Sequence, residues 1–156
     1  MSGRITIEPL AQRPDLLATI EAWFESEWPG YYGPGGPGDA RHDLQSYSRH
    51  HGLPLGLVAA LDGHPCGFAA LKREAFPSHP QCTPWAGAAY VQPALRRQGI
   101  GRALLLALEA PARALGHERL YCATATSDSL LLRCGWGLIE RVLHEGQDIG
   151  VYDKAL

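Results

Sequence analysis

The sequence predicts one α/β (α+β) domain over residues 1–156, with about seven strands and about four helices. Apolar runs of strand length, such as Leu55 to Leu61, alternate with a stretch whose apolar residues repeat at three and four, namely Leu16, Leu17, Ile20, Trp23 and Phe24. Asp62-Gly63 and Glu145-Gly146 each divide two strand-like runs with hairpin residues. Lastly, Arg96 to Ala103 joins a strand-like run, Ala89 to Gln92, directly to the helix-forming Leu104 to Leu108.

Arg4 to Leu10 alternates polar and apolar residues and predicts the first strand. Pro14-Asp15 then opens a helix that stops near Trp28-Pro29-Gly30. Tyr31 to Gly38, rich in Gly and Pro, predicts a loop without regular structure. A second helix is expected from Asp39 to about His50, followed by a hairpin of Leu55 to Leu61 and Cys66 to Lys72 across Asp62-Gly63. After a loop, Pro77 to Pro84, comes a central strand, Trp85 to Gln92. Gly99 to Leu115 predicts one long helix ended by a left-handed Gly116, with a kink or early end at Pro111, which removes a helix hydrogen bond. Leu120 to Thr124 is a strand, Asp128 to Cys134 a short helix, and Ile139 to His144 with Ile149 to Leu156 a terminal hairpin.

At 46% hydrophobic residues, 156 positions suffice for one cored domain and not for two. A formal net charge of -2 supplies no basic surface for nucleic acid or anionic membrane, so neither is expected as a partner. No stretch approaches the ~20 apolar residues of a membrane span. Cys66, Cys82, Cys122 and Cys134 have no Cys-x-x-Cys spacing and Met1 to Leu10 lacks a signal-peptide core, so a reducing cytoplasm is the expected setting. His50 and His51 are adjacent rather than at ligand spacing, and no metal is expected.

The most informative passage is the turn. A strand, a tight glycine turn and a helix start bring unpaired N–H groups and the positive end of a helix dipole to one point, which holds phosphate or pyrophosphate. Side chains at Gly99 or Gly101 would stand between those donors and the phosphate oxygens. Arg96, Arg97 and Arg102 surround the turn and can add charge-assisted hydrogen bonds. A dinucleotide fingerprint would place Gly or Ala at Leu104 and an acid closing the next strand, and a P-loop would end in Gly-Lys-Ser or Gly-Lys-Thr. Neither pattern is present.

Arg96 to Gly101 reads Arg-x-x-Gly-x-Gly, preceded by a strand and followed by a long helix. Downstream, Gly135-Trp136 follows a short helix and opens the next strand. In these features the chain resembles the GNAT superfamily of acetyl-CoA-dependent N-acyltransferases. The matching elements run from about Leu55 to the C-terminus, roughly two thirds of the chain.

That resemblance implies a strongly twisted mixed sheet and acetyl-CoA as co-substrate. It implies that Ala89, Tyr90 and Val91 lie on a bulged strand whose free backbone groups pair with the pantetheine arm, and that the Val91 N–H faces the thioester carbonyl. Arg96, Arg97, Gln98, Gly99, Ile100, Gly101, Arg102 and Ala103 would hold the diphosphate. The reaction implied is direct attack of a primary amine, from a small molecule or a peptide N-terminus, on acetyl-CoA. An alkyl ammonium with pKa near 10.4 costs roughly 4–5 kcal/mol to deprotonate at pH 7. Glu25 and Glu27, ending the first helix, are the candidates to attract the amine or pass on its proton.

The family's usual general acid is a tyrosine four residues before the glycine of the Gly-aromatic pair. Leu131 stands there instead, and leucine cannot protonate a leaving thiolate. A CoA-binding module with little transfer activity is therefore the competing reading. Trp28, Tyr31, Tyr32 and Trp85 are the candidate acceptor-pocket residues, since the resemblance places the first helix-loop and the central strand beside the acceptor. A homodimer is compatible with the same resemblance.

Overall fold

The computed structural model describes residues 3–156. Seven strands form one sheet: β1 (Ile5–Pro9), β2 (Leu55–Leu61), β3 (His64–Lys72), β4 (Trp85–Val91), β5 (Arg119–Thr124), β6 (Gly137–His144) and β7 (Gln147–Ala155). Their order is β1-β2-β3-β4-β5-β7-β6, and every neighbouring pair is antiparallel except β4 with β5. The helices are α1 (Leu17–Glu27), α2 (Pro29–Tyr32), α3 (Ala40–Ser46), α4 (Ile100–Ala107), α5 (Glu109–Ala114) and α6 (Asp128–Arg133). None is long and apolar enough among the described residues to cross a membrane.

The helices cover both faces of the sheet, which explains why β2 and β3 read as near-continuous apolar runs rather than alternating ones. Leu57, Ala59, Ala69 and Leu71 point to one side, where Ile100, Leu104, Leu108, Leu131 and Trp136 complete a core. Val58, Phe68, Ala70 and Tyr90 point to the other, against Ile20, Trp23, Phe24, Leu44 and Tyr47.

Both hairpins turn where the sequence places them. Asp62 and Gly63 have φ of 50° and 83°, and Glu145 and Gly146 have 50° and 78°, the paired left-handed conformations of a tight hairpin turn. Because these turns are so tight, β3 starts at His64 and β7 at Gln147, each two residues before the expected Cys66 and Ile149. The second helix ends at Ser46 rather than His50. The Gly56 N–H of β2 takes the Tyr47 carbonyl at 2.9 Å, and Ser48 Oγ takes that of Leu44 at 2.8 Å, so the carbonyls a longer helix would use are engaged.

One further expectation needs correcting. The Gly/Pro-rich loop does hold structure at its start, because Pro29 occupies the first position of α2, where its missing N–H costs nothing. The kink or early end expected at Pro111 is an early end: Pro111 has no N–H for the Ala107 carbonyl, and α4 ends at Ala107.

Candidate active site

The centre of the sheet is built around an irregularity in β4. Phe68 lies opposite Tyr90 and Ala70 opposite Gly87, so Ala88 and Ala89 together face Ala69 alone. This is a β-bulge, and Ala88 carries the left-handed φ of 49° that it requires. On its other side β4 joins β5 only through Trp85 and Tyr121, with the Tyr121 N–H donating to the Pro84 carbonyl at 3.0 Å. Beyond that pair no ladder joins them among the described residues, while β5 continues along β7 to Thr124. The bulge thus opens a gap in mid-sheet.

Backbone polarity fixes what faces the gap. The Gln92 N–H donates to the Cys66 carbonyl of β3 at 2.8 Å, and in an extended strand successive N–H groups point to opposite edges. The Val91 N–H therefore faces the β5 side. Arg96 holds the Val91 carbonyl through Nε at 2.8 Å, pairs through Nη2 with Glu27 at 3.0 Å, and lies 5.7 Å from the Tyr90 ring centre. The expected phosphate ligand Arg96 is thus engaged in tying the end of α1 to the exit of β4.

After β4 the chain turns through Arg97 (φ 67°) and Gly99 (φ 87°), and Gly99 caps α4 with no side-chain hydrogen bond. The first N–H groups of α4 remain available to a ligand. Both glycines also answer demands of the fold itself. A side chain at Gly99 would meet nothing within 4 Å, and its constraint is the left-handed backbone. A methyl at Gly101 would lie 3.3 Å from Leu130 Cδ2 and 3.9 Å from Val91 Cγ2, so Gly101 keeps α4 close to α6 at the mouth of the gap. Arg97, Gln98 and Arg102 are exposed around this turn, Ala89 is exposed at the bulge and Ala103 is half-buried. Ile100 differs: its side chain is 1% exposed and anchors α4 in the core.

Leu131 is equally buried. Its carbonyl accepts the Trp136 N–H at 3.0 Å while the Gly135 N–H donates to Leu132 at 3.2 Å, a left-handed glycine cap closed over α6. Leu131 and Trp136 share the same core, the apolar contact that accompanies such a cap. Nearby, burial pushes the Cys122 thiol up to about 12.

On the opposite face, Trp28, Tyr31 and Tyr32 line an open cleft of about 280 Å³ together with Lys72 and Ala88. The sequence reading missed the last two. Their signal was a lysine closing an apolar strand and a run of small residues, Ala86 to Ala89, in its partner. Tyr32 packs 5.4 Å from Phe24 and 4.7 Å from Tyr31, ring centre to ring centre, and donates its hydroxyl to Asp43 at 2.7 Å. Burial and then that carboxylate hold the Tyr32 phenol well above its usual range, and it stays protonated. Trp85 does not line this cleft. It is buried, donates to the Cys82 carbonyl at 2.6 Å, and packs against Tyr121 and Phe76. Glu25 is exposed at the end of α1, while Glu27 is held by Arg96.

Residues 19–136, more than half of the chain, match the model of the acetyltransferase (GNAT) family. The chain belongs to the GNAT acetyltransferase family. Solved GNAT structures share the fold at low identity. An N-acetyltransferase from Staphylococcus aureus Mu50 aligns with TM-score 0.76 at 19% identity, over 97% of this chain and 98% of that one. An aminoglycoside 6'-N-acetyltransferase complexed with coenzyme A gives 0.75 at 13%, over 96% of both chains. The putative acetyltransferase YncA from Salmonella typhimurium, with its cofactor acetyl-CoA, gives 0.74 at 19%, over 97% of this chain and 94% of that one. No curated protein sequence matches the chain significantly.

Proposed function

We propose that this GNAT acetyltransferase moves an acetyl group from acetyl-CoA to a primary amine, of a small molecule or a peptide N-terminus, by direct attack. The observation that carries the reading is the mid-sheet gap: a bulged β4, a β5 released after one pair, and an α4 N-terminus with no side-chain cap at the exit. The residues fit a pantetheine and its diphosphate. Bare strand edges offer amide partners to the first, and helix N–H groups with exposed Arg97 and Arg102 offer donors to the second.

Within that frame the Val91 N–H stabilises the oxygen of the thioester carbonyl as charge develops on it. Ala88 is common to the bulge and to the aromatic cleft, so an amine in the cleft approaches the thioester across the width of one strand. Glu27 spends one oxygen on Arg96 and keeps the other to take the amine proton through water. Leu131 supplies no proton to the leaving thiolate, which takes one from solvent. The four free cysteines support a reducing, cytoplasmic setting.

The buried Leu131 favours a second reading, a CoA binder with little transfer. Incubating the purified protein with acetyl-CoA and a panel of amines separates the two. Amine-dependent release of CoA is the expected result, and stabilisation by acetyl-CoA without turnover would establish the second reading. Gly101→Trp tests the loop: it should weaken acetyl-CoA binding at least about tenfold by forcing α4 off Leu130, read as a lost rise in melting temperature. Unchanged binding would overturn the loop assignment.

A further inference from the structure

We infer that the natural acceptor carries a carboxylate beside its amine, as a free amino acid does, and that Lys72 binds that carboxylate. This deepens the acetyl-transfer reading and rests on it. Lys72 ends β3 directly opposite Trp85 and lines the aromatic cleft with Ala88 of the bulge. Its stem lies across Gly87: a methyl there would be 3.1 Å from Lys72 Cδ and 3.9 Å from Nζ. The ammonium is therefore anchored one residue from the bulge, so an anion bound to it is a few bonds from the amine that attacks.

The charge itself is unmatched. Lys72 is half-buried, forms no ion pair among the described residues, and has its Nζ 6.0 Å from the centre of the buried Tyr47 ring. Arg96 is paired with Glu27, and the Asp43 carboxylate beside the cleft accepts the Tyr32 hydroxyl and makes no ion pair with Lys72. A half-buried ammonium without an ion-pair partner attracts an anion, which a simple amine does not offer. An amino acid does, its carboxylate meeting Lys72 and its side chain meeting Trp28 and Tyr31. A peptide N-terminus offers Lys72 only a neutral amide carbonyl, a weaker acceptor.

The test compares acetylation of L-phenylalanine and L-leucine with that of their amides and of phenethylamine and isopentylamine. The wild-type enzyme should prefer at least one amino acid over its decarboxylated amine by about tenfold or more in kcat/KM, the amide falling between. Lys72→Gln should bring that ratio close to one, and Lys72→Arg should keep most of it. N-acetyl-L-phenylalanine or N-acetyl-L-leucine, with CoA present, should raise the melting temperature of the wild type more than that of Lys72→Gln.

Equal use of amino acid and bare amine by the wild type would overturn the inference, as would a Lys72→Gln variant that slows both alike. Stabilisation by acetyl-CoA with none of these compounds acetylated would also overturn it while leaving the cofactor site standing. Absence of acetyl-CoA stabilisation would instead remove the reading beneath it.

Discussion

Val91 shows how little of this site depends on side-chain identity. Its N–H faces the gap while its carbonyl is held by Arg96, so the proposed oxyanion contact belongs to the backbone and survives any substitution but proline. Since that N–H is not part of the β3 ladder, Val91→Pro should keep the fold and the stabilisation by acetyl-CoA. CoA release should drop by about 10²–10³, the usual cost of losing one such donor. Thermal melts and a thiol-release assay check the two halves separately. The same scale marks the limit of reading a sequence. Gly116 was legible because its left-handed backbone is a local demand, whereas nothing near Lys72 in sequence reveals that its stem crosses Gly87 in the next strand. The engagement of Arg96 was equally hidden, since Glu27 lies 69 positions away.

Elements set the geometry that residues exploit. The tight turn pairs, the Gly135-Trp136 pair and the apolar runs of β2 and β3 are all properties of a few consecutive residues, and they located the strands along the chain. Boundaries were harder, because partners from elsewhere decide them: Gly56 stops α3 by taking the Tyr47 carbonyl. The bulge in β4 shows only in register against β3 and was expected through family resemblance rather than read from alternation. Arg96 links two such elements, α1 and β4. Arg96→Ala should change unfolding free energy by under about 1 kcal/mol, since the pair lies at the surface and is partly exposed, yet lower kcat several-fold by loosening Val91. Arg96→Lys should rescue little, because an ammonium cannot reproduce the fork that reaches Val91 and Glu27 together. Steady-state kinetics beside urea titration distinguish this from simple destabilisation.

For the molecule as a whole, one polar cluster makes stability depend on acid. Asp128 of α6 accepts the Tyr152 hydroxyl at 2.5 Å and Arg141 Nη1 at 2.9 Å, joining α6 to β7 and β6. The Tyr152 hydrogen bond and then Arg141 hold its carboxyl below the usual carboxylate range. A lowered folded-state pKa means that this stabilisation is present above the unfolded value, near 4, and is lost as pH falls through the folded one. Asp128→Asn should therefore lie below the wild type in urea midpoint at pH 6, and the gap should shrink by pH 3. A constant gap would show that the carboxylate charge plays no part.

The strand order has a consequence for how the protein is made. β7 is synthesised after β6 yet lies between β5 and β6, so a chain emerging from the ribosome holds β5 with its outer hydrogen-bonding edge bare until β7 arrives. During that interval Leu120 and Cys122 lack their neighbours Lys154 and Tyr152, and the nascent sheet is open to pairing with other chains.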